Sequence, residues 1–245
     1  MSAAPANKGS VVVTGAASGI GFATTQLLLA QGYRVVACDL ARGRLAEIDS
    51  AALHFDALDV RDAAALHASV AGEEARGHAI IGLVACAGII TRTPYLELDE
   101  ETFDRHLDIN LKGPFLSCQA VLPAMRRQGR GSIVLFSSTI ARAGSIKGAH
   151  YAASKGGVLG LMRSLALETA REGIRVNAIS PGVTDTPMPR GHASDEEVYA
   201  KAAKVPLGRI GQPDDMAQAV LFLLGEDSSY VTGQDLRVSG GANLF

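Results

Sequence analysis

Neither sign of charge dominates this sequence: 23 Lys and Arg stand against 25 Asp and Glu, a formal charge of -2 at pH 7. That excludes the basic footprint with which a domain holds nucleic acid or an anionic membrane surface. Cysteine is scarce. Cys38, Cys86 and Cys118 lie far apart inside apolar stretches, so there is neither a C-x-x-C zinc pattern nor an even disulfide framework, and a reducing compartment is expected. The histidines, His106 among them, give no metal site. No stretch reaches 18 consecutive apolar residues, and Met1 to Gly9 is small and polar, so neither a membrane span nor a signal peptide is expected. These absences add up to the expectation of a soluble, cytoplasmic protein. The 27 Gly and 9 Pro have no period, which excludes collagen-like and low-complexity readings.

What the sequence does have is apolar content, 47% of 245 residues, enough to bury the core of one large domain over residues 1–245. Short β-rich runs alternate with longer helix-period segments, the rhythm of βαβ units that build a parallel sheet. Seven strands are predicted, at Ser10 to Thr14, Arg34 to Cys38, Leu53 to Phe55, Ile80 to Ala85, Ser132 to Phe136, Arg175 to Ile179 and Asp235 to Val238. Most are continuous apolar runs, as expected where helices cover both faces. Helices are predicted over Gly19 to Gln31, Ala63 to Gly77, Asp99 to Arg127, Ala149 to Glu172 and Pro213 to Leu224. In the third of these, Phe103, Leu107, Leu111, Phe115, Cys118, Leu122 and Met125 recur every three or four residues as one apolar stripe, and Pro114 predicts a kink. The expected class is α/β, a single-domain, doubly wound Rossmann fold with a seven-stranded parallel sheet flanked by helices.

The first chemical signal is the strand-to-helix turn Thr14-Gly15-Ala16-Ala17-Ser18-Gly19-Ile20-Gly21. Its glycines let the backbone turn tightly and approach a pyrophosphate, which then rests on the amides of the following helix. A glycine pattern alone fits an ordinary βα turn equally. Here it follows Val11-Val12-Val13 and opens an apolar helix, and Asp39 closes the next strand, where an acid can hydrogen-bond both ribose hydroxyls of an adenosine. Asp59, after the third strand, is read either as an acceptor for an adenine amino group or as a helix cap.

The second signal is Tyr151 and Lys155, four residues apart and so on one helix face, with Ser138 ending the fifth strand upstream. Tyrosine loses its proton near pH ~10, so a tyrosine base at neutrality needs help from a nearby cation such as an ammonium. The spacing alone occurs by chance on many helices. It gains meaning from Ser137-Ser138 and from the glycine turn in the same chain.

Together these residues resemble the short-chain dehydrogenase/reductase family, from Val11 to Gly241. The family pattern T-G-x-x-x-G-x-G is met by Thr14, Gly15, Gly19 and Gly21; its catalytic serine, tyrosine and lysine match Ser138, Tyr151 and Lys155, and its catalytic asparagine matches Asn110. The resemblance implies that Tyr151 moves the substrate proton and Ser138 holds the same oxygen. Lys155 would lower the tyrosine pKa and hold the nicotinamide ribose, and Asn110 would anchor a relay water. It implies a nicotinamide cofactor against Gly15, Ser18, Gly19, Ile20 and Gly21, then against Asp39 and Leu40, then Asp59 and Val60. Ala87 and Gly88, Tyr151 and Lys155, and Pro181, Gly182, Val183 and Thr186 complete those contacts. Asp39, with Ser18 where an NADP-selecting relative commonly has a base, points to NAD, and Arg42 is the nearby cation that could offset this.

Two departures stand out: Ala85-Cys86-Ala87-Gly88 replaces the usual Asn-Asn-Ala-Gly, with Cys86 read as a small buried residue, and Ser239-Gly240-Gly241 replaces Asp-Gly-Gly. The family closes over its substrate between Val183 and Arg209, which here includes Met188, Arg190, His192, Tyr199 and Lys204. Arg190 or Arg142 could meet an anionic substrate group, although a solvated arginine is the commoner case, and His150 either lines the pocket or faces solvent. The expected substrate is a small secondary alcohol or ketone, cyclic or hydroxyacyl. The alternative is a 3-oxoacyl thioester (acyl-carrier-protein) reductase using NADPH; a non-catalytic nucleotide-binding protein conflicts with the intact active set. On the Tyr151 helix, Val158, Leu161, Met162 and Leu165 form an apolar stripe, and Gly156, Gly157 and Gly160 admit a close neighbour. With the resemblance, this gives the expectation of a homo-oligomer, a tetramer.

Overall fold

The β-branched runs become seven strands, all parallel: β1 Ser10–Thr14, β2 Arg34–Asp39, β3 Leu53–Ala57, β4 Ile80–Ala85, β5 Gly131–Phe136, β6 Ile174–Pro181 and β7 Asp235–Val238, in spatial order β3-β2-β1-β4-β5-β6-β7. The structure, a computed structural model, describes residues 8–190, 200 and 202–242. Alternate side chains point to opposite faces, so Val12 packs with Val36, Ile133 and Leu135 while Val11 and Val13 pack with Val134 and Ile179. The first face is covered by α2 (Ala63–Ala75), α4 (Gly113–Gln128) and α6 (Ala149–Thr169), the second by α1 (Gly19–Ala30) and α8 (Pro213–Leu224). With each buried aliphatic side chain contributing about 1.5–3 kcal/mol, the sheet's two faces hold the stabilising core. The strand order reverses between β1 and β4, and the crevice beyond their carboxyl ends is where such sheets bind ligands.

The long helix expected over Asp99 to Arg127 is interrupted. It divides into α3 (Glu100–Leu107), a π-helical turn at Asp108–Lys112, and α4. The carboxylate of Asp99 caps α3, accepting from Thr102 N at 2.6 Å. Pro114 does not end the helical path, because it lies in the first turn of α4, where its fixed φ suits a helix. The widened turn instead carries Asn110 into the interior, fully buried. Smaller differences lie at element ends: β3 runs two residues past Phe55, and α6 passes into a 3₁₀ turn at Ala170.

The stripe on α6 read as a partner surface is used by the chain itself. Val158, Met162 and Leu165 are buried against the sheet and Leu161 packs at the margin of that cluster. The apolar side chains left outward are others, Leu167 on α6 and Phe115 on α4. Two more short helices, α5 (Ile140–Ala143) and α7 (Pro187–Arg190), follow β5 and β6 at the carboxyl end of the sheet.

Candidate active site

The glycine turn is built from backbone that no other residue would allow. Gly15 and Gly19 have φ of +66° and +50°, and a Cβ on Gly15 would lie 2.7 Å from the Ala87 backbone. Gly21 is helical, yet a Cβ there would come within 2.0 Å of the Gly15 carbonyl oxygen. The turn therefore sits hard against the loop after β4 on one side and its own helix on the other. Asp39 fixes it from the third side: its carboxylate accepts from Ala17 N at 2.9 Å and from Leu40 N at 2.8 Å.

In front of this turn lies a cleft of about 320 Å³. Gly15, Ser18, Gly19 and Ile20 line its floor, Asp39 and Leu40 one end, and Asp59, Val60, Ala87 and Gly88 the side between. Gly21 does not reach the cleft; it is the packing contact that seats the turn on α1. Sequence reasoning missed Arg61, Arg105, Ile109 and Cys86 on the same walls. Arg61 holds Asp59 at 2.6 Å, and that hydrogen bond keeps the carboxyl below the usual range. The cap of α2 is Asp62, which accepts from Ala65 N at 3.0 Å, so Asp59 is not a helix cap. A glycine cradle with no room for side chains and an acid at the end of β2 fit a dinucleotide lying across the strand ends.

A second chamber, of about 270 Å³, adjoins the first and shares Ile20, Cys86, Gly88, Thr186 and Met188 with it. Ser138, Tyr151 and Lys155 line it, with Pro181, Gly182 and Val183 opposite. Ser138 lies two residues past the end of β5, and its Oγ accepts from Ile140 N at 3.2 Å. The next residue back, Ser137, donates to the Lys155 carbonyl at 2.9 Å, which pins α6 to the strand and sets the height of Tyr151. Lys155 donates from Nζ to the Phe136 carbonyl at 2.9 Å and lies 5.9 Å from the Tyr151 ring centre.

Burial pushes the Tyr151 phenol up to about 12, opposed by a hydrogen bond with Ser138, and burial brings the Lys155 ammonium down to about 8. The Lys155 ammonium is turned to the Phe136 carbonyl, and desolvation is the largest influence on both groups.

Asn110 lines neither chamber. Its Oδ1 accepts from Ile89 N at 2.8 Å while Nδ2 donates to Ile89 O at 2.9 Å and to Ser154 Oγ at 3.1 Å, so it ties the loop after β4 to α6. A Cβ on Gly88 would lie 3.1 Å from Asn110 Oδ1 and 3.4 Å from Lys155 Nζ, which shows both packed on that glycine. His150, expected in the pocket or in solvent, is in neither. It is fully buried, its Nε2 3.0 Å from Thr91 Oγ1 and its ring 4.2 Å from that of His106. Arg142 is held by Asp235 at 3.1 Å and lines neither chamber. Cys86 is a wall residue rather than a core one, and burial pushes its thiol up to about 12, so it is a protonated, unreactive surface. Ser239 abuts Gly182, whose added Cβ would lie 2.9 Å from the Ser239 Cα. Met188 lines both chambers and Lys204 lines neither, while the side chain of Arg190, and His192 and Tyr199, lie outside the described residues. Among the described residues no cluster of three metal-ligating side chains occurs, and no helix is long and apolar enough to cross a membrane.

A doubly wound parallel sheet with this glycine turn at its switch point and a reactive chamber beside it defines a dinucleotide-dependent oxidoreductase. Comparison with known proteins agrees. A family model described as Enoyl-(Acyl carrier protein) reductase matches residues 15–243. The chain is 40% identical over 247 residues to the (3R)-3-hydroxyacyl-CoA dehydrogenase of Rattus norvegicus, covering 94% of each chain. It is 41% identical over 238 residues to the cis-4-hydroxycyclohexanecarboxylate dehydrogenase of Sinomonas cyclohexanicum, again covering 94% of each. The crystal structure of levodione reductase superposes with a TM-score of 0.90 at 33% identity, covering 97% of this chain and 98% of that one. This chain belongs to the short-chain dehydrogenase/reductase family, and it is an oxidoreductase of CH–OH groups that works with a nicotinamide cofactor.

Proposed function

We propose that this enzyme oxidises a small secondary alcohol to the ketone with NAD, Tyr151 taking the hydroxyl proton. The observation that carries the reading is the continuity of the two chambers. The wall shared through Gly88 and Thr186 sets Ser138, Tyr151 and Lys155 beside the place where the glycine turn and Asp39 hold a dinucleotide. Bound NAD supplies the hydride acceptor. Ser138 and Tyr151 bind one substrate oxygen between them, which fixes its carbon and leaves the phenol as the proton partner. Only the ionised phenol can take that proton, and burial holds the Tyr151 phenol near 12, so oxidation gains as pH rises. Lys155 supplies the positive charge beside the reacting oxygen, and Asn110 positions Lys155 by clamping the Ile89 backbone and Ser154.

Charge at the end of β2 supports NAD over NADP. The Asp39 oxygens each accept one backbone bond and keep a lone pair for a ribose hydroxyl, whereas a 2′-phosphate would meet that carboxylate. Of the lining cations Arg61 and Arg105, Arg61 is held by Asp59, and Arg42 does not line the cleft. Two of the relatives named above are dehydrogenases of hydroxy compounds, which fits the substrate class. Reduction of a 3-oxoacyl thioester with NADPH would use the same three side chains, but Asp39 and Ser18 oppose that cofactor. The cytoplasmic location and the homotetramer remain readings from composition and family resemblance, with Leu167 and Phe115 as outward apolar side chains for a partner.

An NAD-coupled screen of secondary alcohols, sugars, hydroxy acids and hydroxyacyl thioesters tests the reading. Wild-type turnover should fall at least about 100-fold in Tyr151→Phe, with NADH affinity unchanged by fluorescence titration. A variant that keeps most of the turnover contradicts it.

A further inference from the structure

The catalytic chamber has an unusual charge inventory. Ile90, Ile140, Val183 and Val205 make much of it apolar, and among the described residues no Asp or Glu lines it. Two cations do. Lys155 is buried and committed to the Phe136 carbonyl. The other is Arg92.

Arg92 is the arginine that lines this chamber, and it differs from those the fold uses in ion pairs. Arg34, Arg61, Arg76, Arg126, Arg142 and Arg209 each hold a carboxylate. Arg92 has no ion-pair or hydrogen-bond partner among the described residues, although its neighbours in sequence are anchored on both sides. Thr91 is hydrogen-bonded through Oγ1 to His150 of α6 at 3.0 Å, and Thr93 N donates to the Lys147 carbonyl at 2.9 Å. Those bonds fasten the Arg92 backbone to the helix that carries Tyr151 and to the segment just before it. An exposed arginine is ordinarily a solvated one, but this one lines a chamber of about 270 Å³ beside the reacting groups.

A chamber of this size takes a compact molecule. A carboxylate entering an apolar chamber loses water and needs an ionic, hydrogen-bonded partner in return, and a guanidinium supplies a planar fork that meets both of its oxygens. We infer that Arg92 is a specificity residue, selecting substrates in which the secondary alcohol is carried on the same compact skeleton as a carboxylate. This rests on the oxidoreductase reading of the Ser138 and Tyr151 site and narrows its substrate class. Because Arg92 lines the chamber itself, the anion belongs to the compact substrate and not to the distant phosphates of a coenzyme A thioester.

The test compares 4-hydroxycyclohexanecarboxylate, its methyl ester and 3-hydroxybutyryl-CoA on the full chain. Arg92→Ala should lower kcat/KM for the acid about 10- to 100-fold, chiefly through KM, and leave the ester within about twofold. Arg92→Lys should recover part of the loss. Equal falls on acid and ester, no fall on either, or a fall confined to the thioester would overturn the assignment. Calorimetric titration of cyclohexanecarboxylate into enzyme with NADH keeps the test independent of turnover: weaker binding by Arg92→Ala than by wild type supports the role, and equal binding overturns it. Failure of the underlying oxidoreductase reading would show differently, as wild-type turnover that survives in Tyr151→Phe.

Discussion

The two halves of the crevice are made by different means. On the β1 side the wall is backbone: glycines with positive φ pressed against the loop after β4, with Asp39 bracing the turn through two amide hydrogen bonds. On the β5 and α6 side the wall is side chain, with Ser138, Tyr151 and Lys155 buried around a chamber and held from behind by Ser137 and Asn110. The first half has acids as well as cations on its walls, with Asp59 paired to Arg61, while the second has Arg92 and no opposing acid among the described residues. A backbone site tolerates almost no added atom but is indifferent to chemistry. A side-chain site tolerates changes of shape and fails when one proton or one charge is removed.

Substitutions should therefore separate the halves. The largest structural effect is expected from Gly21→Ala, whose Cβ would meet the Gly15 carbonyl oxygen at 2.0 Å. Overpacking against backbone costs about 1–3 kcal/mol or more, and in a chain of this length each kcal/mol lowers the melting temperature by about 2–4 °C. Thermal melting and NADH titration of the variant should show both stability and cofactor affinity reduced; a wild-type melting temperature would mean the turn is slack. A smaller effect is expected from Asp39→Ala. Removing the carboxylate relieves its repulsion of a 2′-phosphate, so the NADP to NAD ratio of kcat/KM should rise about tenfold or more. An unchanged ratio would show that Asp39 does not read the ribose.

The smallest expected effect is on acid stability and belongs to the second half alone. His106 is 1% exposed, and burial, with His150 and Arg105 nearby, lowers its pKa below the ordinary 6.5. Its Nδ1 must carry a hydrogen, because the Thr102 carbonyl 2.7 Å away only accepts. A folded pKa below the unfolded one means that the folded state is favoured above pH ~6.5 and loses that advantage as pH falls from there towards the folded value. Melting at pH 7.5 and 5.5 should show a drop on acidification that is smaller in His106→Gln. An equal drop in both proteins would remove His106 from the explanation.

The same contrast explains what could be read from sequence. The glycine turn, Asp39 and the Tyr151 and Lys155 pair were legible because each is a local pattern, fixed by conformation or by helical spacing. The order of elements was legible for the same reason. The π-helical turn at Asp108–Lys112, just before Pro114, was hidden because the apolar stripe runs through it without a break. The commitment of Arg142 to Asp235 and the edge-to-face contact of His106 with His150 join residues far apart in the chain, where no spacing rule applies. Arg92 gave no signal at all: a single arginine in a loop has meaning only once the chamber beside it and the absence of a partner are seen. The directions of the Tyr151 and Lys155 shifts likewise depend on burial and on which carbonyl the ammonium meets.

One pair of measurements decides whether the halves act separately. NADH dissociation constants and turnover at saturating cofactor should be taken on the same preparations of wild type, Asp39→Ala and Tyr151→Phe. Asp39→Ala should bind cofactor more weakly yet turn over within a few fold of wild type, and Tyr151→Phe should bind as wild type does with turnover lower by at least about 100-fold. Turnover retained in Tyr151→Phe, or binding and turnover falling together in both variants, would contradict the division of labour between the glycine turn and the buried tyrosine.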